Sequence, residues 1–457
     1  MKRFIKKIHM LGIGGAGMCP LAEVLQAHGH KVTGSDKINS VATARLESMG
    51  IRVQYNHDVD LVRNADLLVY SSAVRENNPE RVYAREHGIP CIRRAELLGD
   101  LMRAHFTVCI SGTHGKTTTT SLVGTILNDA SLRPTVLVGG VVRSAESHAF
   151  VGTSNIMVAE ADEYDRSFLA MYPSIAIITN IEADHLDCYS SLDDIKDAFV
   201  KFSERIPFYG AVIACKDDTG VREILPRINS TVITYSVNGD ADYVAKDISF
   251  VNGHGVFTVV KHGVELGTID LNIPGKHNVL NSLAAIVVAL EIGVDFKTIA
   301  LSLKQFQGVK RRFEVIGVEK KVTVIDDYAH HPGEIRATLD AARTSGYNNI
   351  IAVFQPHLYT RTRDFINEFA ESLGKADIVY IADIYKAREE PIPGINSEAI
   401  SDRIKASGHK YVYHIPDKAE IIPEVVSNVK ENDCVVIMGA GDIWEIAPTI
   451  LEQLKNG

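Results

Sequence analysis

The segment with the strongest chemical signature is a glycine-containing turn followed by a lysine and threonines, Ser111-Gly112-Thr113-His114-Gly115-Lys116-Thr117-Thr118. It lies between a predicted strand and a predicted helix, so its backbone N–H groups can hold phosphate oxygens. The Lys116 ammonium would neutralise the terminal phosphates, and the Thr117 hydroxyl would coordinate Mg²⁺. Ile110 stands where the usual P-loop spacing has a glycine, so the loop is a shortened variant. The pattern favours an ATP site over a turn that is only capped by threonines.

A second glycine-rich loop, GIGGAG at residues 12–17, follows the first predicted strand and precedes a helical pattern. This context suits a diphosphate at a helix N-terminus, although a tight turn for helix–strand packing has the same pattern. Asp36, at the end of the second predicted strand, could accept a hydrogen bond from a ribose or a base. The pattern does not separate a nicotinamide dinucleotide from another nucleoside diphosphate. Because a dehydrogenase or a simple NTPase needs only one such loop, two loops indicate two nucleotide-like ligands, one of them ATP.

Acidic and basic side chains follow several predicted strands, at the edge where ligands bind in open α/β sheets. Glu160 follows one buried strand, and His185 follows the next. They could hold Mg²⁺ ions that bridge phosphates, although Mg²⁺ prefers oxygen and acids also cap helices. The last third of the chain adds side chains suited to phosphate or carboxylate recognition. They are Arg311, Arg312, Asp326, Asp327, His330, His331, His357, Arg361 and Arg363.

Composition and charge limit the class of protein. The chain has 457 residues, of which 46% are hydrophobic and 23% charged, which predicts a globular protein of roughly three domains. Its net charge of −9 argues against a general nucleic-acid binder. The longest apolar helical stretch, Leu283 to Leu290, is too short for a bilayer, which takes ~20 residues. The six cysteines are scattered without a CxxC pair, which predicts reduced thiols, no structural zinc and a cytoplasmic location.

Alternating strand and helix patterns must position these side chains. The patterns restart after Arg103 and near Gly308, which indicates three α/β units with parallel sheets covered on both faces. In the middle unit, Tyr243 to Ile273 has alternating residues and glycine turns, which predict hairpins. Asn278 to Leu290 is predicted to be a helix. The predicted domains are residues 1–103, 104–308 and 309–457.

Ten ordered segments together resemble the Mur ligases, the ATP-dependent amino-acid ligases of peptidoglycan precursor synthesis. They are GIGGAGM, GSD at 34–36, SSAV at 71–74, GTHGKTTT, EADE at 160–163, TNIEADHLD, PGKHNVLNSLAA, KRRFE, DDYAHHP and FQPH. The resemblance covers essentially the whole chain and accounts for the shortened P-loop. It implies an α/β protein of three domains: an N-terminal Rossmann-like domain for the UDP-sugar, a central P-loop ATPase-like domain with a mixed sheet, and a C-terminal Rossmann-like domain that brings in the amino acid.

The resemblance also implies a role for each matching residue. The catalytic residues it implies are Lys116, His185 and Arg312. The implied ATP site consists of Gly112, Thr113, His114, Gly115, Lys116, Thr117, Thr118, Asn278, Asn281, Arg312 and Asp327. The resemblance further implies that Thr117 and Glu160 hold one Mg²⁺ and that His185 lies at the second metal position. The implied UDP-sugar site consists of Gly14, Gly15, Gly17, Asp36, Ser71 and Ser72, and the incoming amino acid lies near His330 and Arg361.

The activity that the resemblance implies is ATP-dependent addition of L-alanine to the lactyl carboxylate of UDP-N-acetylmuramate through an acyl phosphate. These three small molecules are the expected partners, with no nucleic acid and no membrane. The family usually reads FQPHRYxR, whereas this chain has Leu358 in place of the first arginine. Three alternatives stay open: a family member that takes an L-alanyl-γ-D-glutamyl peptide, a nicotinamide-dependent oxidoreductase, and a non-catalytic nucleotide switch.

Overall fold

Three β-sheets follow one another along the chain. The computed structural model describes residues 5–71, 73–142, 147–184, 188–251, 253–387 and 389–456, with the backbone alone at 140–142 and 147–149. The chain forms two compact units, one of residues 1–246, 259–267 and 280–303 and the other of residues 247–258, 268–279 and 304–457. In the described ranges, every helix is too short or too polar to cross a membrane.

The first sheet has five parallel strands in the order β3-β2-β1-β4-β5. The strands are β1 (Lys7–Leu11), β2 (Lys31–Ser35), β3 (Arg52–Gln54), β4 (Leu67–Tyr70) and β5 (Cys91–Arg93). The helices are α1 (Cys19–Ala27), α2 (Val41–Ser48), α3 (Pro79–Glu86) and α4 (Arg94–Met102), with a 3₁₀ turn at Val62–Asn64. The GIGGAG loop connects the central strand β1 to α1, at the point where the strand order reverses, which is where open α/β sheets bind ligands.

The second sheet has ten strands in the order β15-β14-β13-β12-β11-β10-β6-β9-β7-β8. The strands are β6 (Phe106–Ser111), β7 (Thr135–Val142), β8 (Ser147–Phe150), β9 (Ile156–Glu160), β10 (Ile175–Ile178), β11 (Ala211–Cys215), β12 (Thr231–Ser236), β13 (Tyr243–Val251), β14 (His254–Lys261) and β15 (Val264–Leu271). The helices are α5 (Lys116–Asp129), α6 (Leu192–Ser203), α7 (Thr219–Ile224), α8 (Lys276–Ile292) and α9 (Phe296–Gln305), with 3₁₀ segments at Tyr164–Ala170 and Leu225–Arg227. The strand before the P-loop, β6, lies between β10 and β9 and is parallel to both.

The third sheet has six strands in the order β16-β17-β21-β18-β19-β20. The strands are β16 (Glu314–Glu319), β17 (Val322–Asp327), β18 (Ile350–Phe354), β19 (Ile378–Ile381), β20 (Val412–His414) and β21 (Cys434–Met438). The helices are α10 (Pro332–Thr344), α11 (Tyr359–Asp364), α12 (Ile366–Leu373), α13 (Glu398–Ala406), α14 (Lys418–Asn428) and α15 (Ala447–Asn456), with a 3₁₀ turn at Ile443–Ile446. Strand β16 is antiparallel to β17, and the other pairs are parallel. Apolar cores cover both faces of this sheet.

The predicted fold class is confirmed, with three α/β sheets in chain order. Continuous apolar runs predict β11, β18, β19 and β21 residue for residue. The sequence does not predict β12, because its first four residues are exposed or half-buried and break the apolar pattern. Helix α8 extends two residues beyond the predicted helix at each end. The domain boundaries after residues 103 and 308 stay predictions.

Candidate active site

Two glycines set the path of the P-loop between β6 and α5. Gly112 has φ +132° and Gly115 has φ +83°. Residues with a Cβ rarely adopt these backbone conformations. A Cβ at Gly112 would lie 2.0 Å from Oγ1 of Thr179, and one at Gly115 would lie 2.5 Å from Oδ1 of Asn281. The loop is therefore packed against β10's end and against α8, and it has no room for side chains at these two positions.

The residues that follow β10 hold the P-loop through hydrogen bonds. Thr179 Oγ1 donates to the His114 carbonyl (2.7 Å), and the His114 N–H donates to Oδ1 of Asn180 (2.7 Å). The Thr113 N–H donates to the Asn180 carbonyl (3.1 Å), and the Glu182 N–H donates to Oγ1 of Thr113 (2.9 Å). These bonds fix Thr113 and His114, two predicted ATP-site residues. Asn180 lies in the family segment TNIEADHLD, but the sequence does not predict it as a site residue.

Lys116 is held by the loop backbone and by acids that follow β9. Its Nζ donates to the Gly112 carbonyl (2.7 Å) and to both carboxylate oxygens of Glu163 (2.8 and 3.0 Å), and lies 3.9 Å from Asp162. Burial opposes the charged form, but the neighbouring carboxylates, Glu163 above all, outweigh it and raise the pKa of Lys116 above its ordinary value. The ammonium is therefore charged and fixed beside the loop. The sequence signal for Glu163 is the EADE segment, whose first acid alone was predicted as a site residue.

Oxygen donors of the kind that bind Mg²⁺ lie beside this lysine. Glu160 ends β9 and pairs in register with Ile110 of β6, so its carboxylate lies at the same sheet edge as the P-loop. One carboxylate oxygen accepts the Gly139 N–H (2.7 Å). Thr117 is buried in the first turn of α5, and Thr118 beside it is half-buried. The predicted second metal ligand, His185, lies outside the described residues.

The GIGGAG loop is fixed by the end of β2. The Ser35 carbonyl accepts the Gly12 N–H (2.8 Å), and Asp36 Oδ2 accepts the Gly14 N–H (2.8 Å). Ser35 Oγ in turn donates to the fully buried carboxylate of Glu80 (2.7 Å). Asp36 therefore shapes the loop itself, and its expected hydrogen bond to a ribose or a base stays a prediction. Glu80 was not singled out, because a lone glutamate in a polar helix carries no sequence signal.

The remaining predicted UDP-sugar residues lie around the same loop. The Gly15 N–H donates to the Gly12 carbonyl (3.1 Å), which closes the turn before α1. Ser71 Oγ follows β4 and would lie 3.5 Å from a Cβ at Gly12. Gly17 lies against the side chain of Arg94. Ser72 lies outside the described residues.

A cavity of about 240 Å³ joins the GIGGAG loop to the acids of the P-loop site. It is lined by Ala16, Gly17, Pro20, Leu21, Arg94, Leu98, Leu137, Val138, Gly139, Glu160 and Asp162. Pockets that enclose a whole drug-sized ligand have roughly 300–1,000 Å³. The cavity therefore suits part of a substrate, placed between the two glycine-rich loops.

Asp327, a predicted ATP residue, ends β17 in the second compact unit. Its two carboxylate oxygens accept the N–H groups of Phe313 and Ala329 (2.8 Å each). Burial raises the pKa of Asp327, and the charge of Arg312 partly offsets this effect. Asn278, in the same unit, donates from its side-chain amide to a backbone carbonyl four residues earlier (2.7 Å).

The two predicted amino-acid-site residues lie around His357. The His330 and His357 ring centroids are 5.9 Å apart, and Arg361 Nη1 lies 3.4 Å from His357 Nδ1. Nδ1 of His330 also lies 3.3 Å from the Glu334 carboxylate. Leu358, which precedes α11, has φ +73°, a strained value for a branched side chain. The third sheet thus brings His330 and Arg361 together, with His357 between them.

Comparisons with known proteins place this architecture in one class. Sequence models of three domains match consecutive stretches: "Mur ligase family, catalytic domain" at residues 7–106, "Mur ligase middle domain" at 110–289 and "Mur ligase, glutamate ligase domain" at 311–441. The fold and the P-loop site define an ATP-dependent ligase that joins an acid to an amino acid. The chain belongs to the Mur ligase family, and its activity is that of a ligase in peptidoglycan synthesis.

Three relatives are similar over nearly their whole length. The UDP-N-acetylmuramate–L-alanine ligase of Geotalea uraniireducens is 45% identical, with 99% of each chain covered. The structure of UDP-N-acetylmuramate-alanine ligase from Thermotoga maritima is 31% identical with a TM-score of 0.82, covering 98% of this chain and 99% of that chain. The structure of a murein peptide ligase from Psychrobacter arcticus is 28% identical with a TM-score of 0.72, covering 99% of each chain.

Proposed function

We propose that this ligase joins L-alanine to the lactyl carboxylate of UDP-N-acetylmuramate, with conversion of ATP to ADP and phosphate. The name of the 45% identical Geotalea relative supports this choice of substrates. The two glycine-rich loops support it independently, because a sugar nucleotide and ATP are two separate phosphate ligands. A nicotinamide-dependent oxidoreductase would leave the P-loop and its half-buried lysine without a role.

The chemistry requires activation of the acid before the amide forms. A carboxylate is a poor acyl donor, so one of its oxygens attacks the γ-phosphorus of ATP, and ADP leaves. The neutral amine of L-alanine then attacks the acyl-phosphate carbonyl, inorganic phosphate leaves, and the amine loses a proton. Two anions approach each other in the first step. Lys116 lowers this repulsion, as Arg312 does by family resemblance.

Thr117 and Glu160 fit a Mg²⁺ ion, because a hydroxyl and a carboxylate are the oxygen donors that this ion prefers. Bound there, Mg²⁺ would neutralise charge on the transferring phosphoryl group. The Gly139 N–H donates a hydrogen bond to one Glu160 oxygen. This bond to the backbone orients the carboxylate. His185 as ligand of a second ion stays a prediction from the family resemblance.

The observation that carries the proposal is the cavity that the GIGGAG loop shares with Glu160 and Asp162. An acid attached to a sugar nucleotide on the GIGGAG loop would reach Glu160 and Asp162 through this cavity. The acid would therefore lie beside Glu160 and Asp162, and Asp162 is 3.9 Å from the Lys116 ammonium.

Product analysis by mass spectrometry tests the proposal. The enzyme is incubated with ATP, Mg²⁺, UDP-N-acetylmuramate and a mixture of amino acids. We expect one product, heavier than the sugar nucleotide by an alanyl group, and transfer of ¹⁸O from labelled carboxylate to inorganic phosphate. In Lys116→Ala, turnover should be abolished while the sugar nucleotide still binds. Unlabelled phosphate, or turnover that persists in Lys116→Ala, contradicts the mechanism.

A second candidate is ligation of an L-alanyl-γ-D-glutamyl peptide to the same acid. Leu358 supports this candidate. It stands where the family usually has an arginine, three residues before Arg361, so an amino-acid carboxylate lacks one expected partner. Competition between L-alanine and an L-alanyl-γ-D-glutamyl peptide at equal concentration separates the two functions. Preferential formation of the alanyl product supports the first proposal, and preferential formation of the peptide product supports the second.

A further inference from the structure

Arg94 is the cationic residue that faces the cavity between the two loops. It is the first residue of α4 and is half-buried. The cavity lining holds two acids, Glu160 and Asp162, and among the described lining residues Arg94 is the only positively charged one. A ligand that enters from the GIGGAG side therefore meets a guanidinium and two carboxylates.

The guanidinium of Arg94 lies directly against the glycine loop. A Cβ at Gly17 would lie 3.0 Å from Nη1 and 3.1 Å from Cδ and Cζ of Arg94. The arginine side chain therefore occupies space that a side chain at position 17 would need. Within the part of the chain that the structure describes, the Arg94 side chain makes no hydrogen bond or ion pair, although both acids line the same cavity. Its planar fork of N–H donors is available for a ligand with two oxygens.

We propose that Arg94 binds the carboxylate of the acid substrate and positions it for attack on the γ-phosphate. This inference rests on the proposed function. The Glu160 and Asp162 carboxylates would repel an incoming carboxylate, and the Arg94 guanidinium in the lining of the same cavity offsets that repulsion. The diphosphate of the sugar nucleotide already has the backbone N–H groups at the start of α1. The cavity is too small for a whole nucleotide, but it accommodates an acid group.

Two ligands that differ by the acid group test this role. UDP-N-acetylglucosamine has the same uridine, diphosphate and sugar as UDP-N-acetylmuramate but lacks the lactyl carboxylate. Affinities of both are measured by calorimetry without ATP. We expect Arg94→Ala to weaken binding of UDP-N-acetylmuramate by about ten-fold or more and that of UDP-N-acetylglucosamine by less than about two-fold. Arg94→Lys, which keeps the charge but loses the fork, should fall between wild type and Arg94→Ala.

Arg103→Ala is the matched control, because Arg103 follows the last residue of the same helix and donates instead to the Tyr172 hydroxyl (2.7 Å). It should leave both affinities near those of wild type. Retained binding of UDP-N-acetylglucosamine also shows that Arg94→Ala is folded.

Equal weakening of both ligands by Arg94→Ala would place the arginine on a group they share, and it would overturn the inference. Unchanged binding of UDP-N-acetylmuramate would overturn it as well. In both cases alanyl product from wild type keeps the proposed function intact, whereas wild type that forms no product refutes that function and, with it, this inference.

Discussion

Replacement of Glu163 by glutamine tests whether its ion pair prepares Lys116 for catalysis. The Glu163 side chain is 2% exposed, and its two oxygens accept hydrogen bonds from the ammonium (2.8 and 3.0 Å). A charge-assisted hydrogen bond of this kind contributes about 1.5–3 kcal/mol. Glutamine keeps the shape and one acceptor, so we expect a loss of about 2 kcal/mol. At 1.36 kcal/mol per factor of ten, kcat/KM for ATP should fall by roughly 30-fold.

The neighbouring Asp162→Asn is the matched control for the same loss of charge. Its carboxylate is 45% exposed and 3.9 Å from Lys116, and an exposed pair of this kind contributes less than about 1 kcal/mol. Initial rates of phosphate release are measured at varied ATP and saturating levels of the other substrates. We expect Asp162→Asn to lower kcat/KM by less than about five-fold.

The pH profile gives a second readout. Glu163 is the strongest influence that raises the pKa of Lys116, while burial lowers it. Glu163→Gln should therefore lower this pKa, and activity should be lost at a less alkaline pH than in wild type. Equal losses in the two amide variants, or a Glu163→Gln enzyme with wild-type kcat/KM and pH profile, would refute the reasoning.

Two further predictions concern the P-loop backbone and a buried acid. Gly112→Ala should raise KM for ATP at least about ten-fold, because its Cβ would meet Thr179 Oγ1 at 2.0 Å in a backbone conformation that costs roughly 1–3 kcal/mol; a wild-type KM contradicts this. Burial raises the pKa of Asp326 from 3.8 to about 6, although Arg311 lowers it. Between these two pKa values the unfolded chain loses the Asp326 proton first, because its pKa is the lower one. The free energy of unfolding of wild type should therefore fall by up to about 3 kcal/mol as the pH rises, whereas that of Asp326→Asn should lack this contribution. Urea unfolding between about pH 4 and pH 7 measures this difference, and parallel pH curves for the two proteins contradict it.

Much of the local structure follows from the sequence. Strand β11 and the core strands β18, β19 and β21 are continuous apolar runs, and parallel strands buried on both faces have this composition. The two glycine-rich loops are equally local, since glycine spacing after a strand sets the turn that precedes a helix. Partly exposed strands such as β12 are not found in this way, because their burial depends on neighbours elsewhere in the chain.

The sequence by itself determined the P-loop, the GIGGAG loop and the acids at strand ends. Only the tertiary structure decided which of them meet. Glu163 reaches Lys116 across 47 residues, and Thr179 reaches His114 across 65, because β6 lies between β9 and β10 in the sheet. Strand order depends on the packing of the whole sheet and on long-range pairing, which no local pattern encodes. For the same reason, the position of Arg94 over Gly17 follows from how α4 and the GIGGAG loop pack, and not from either segment alone.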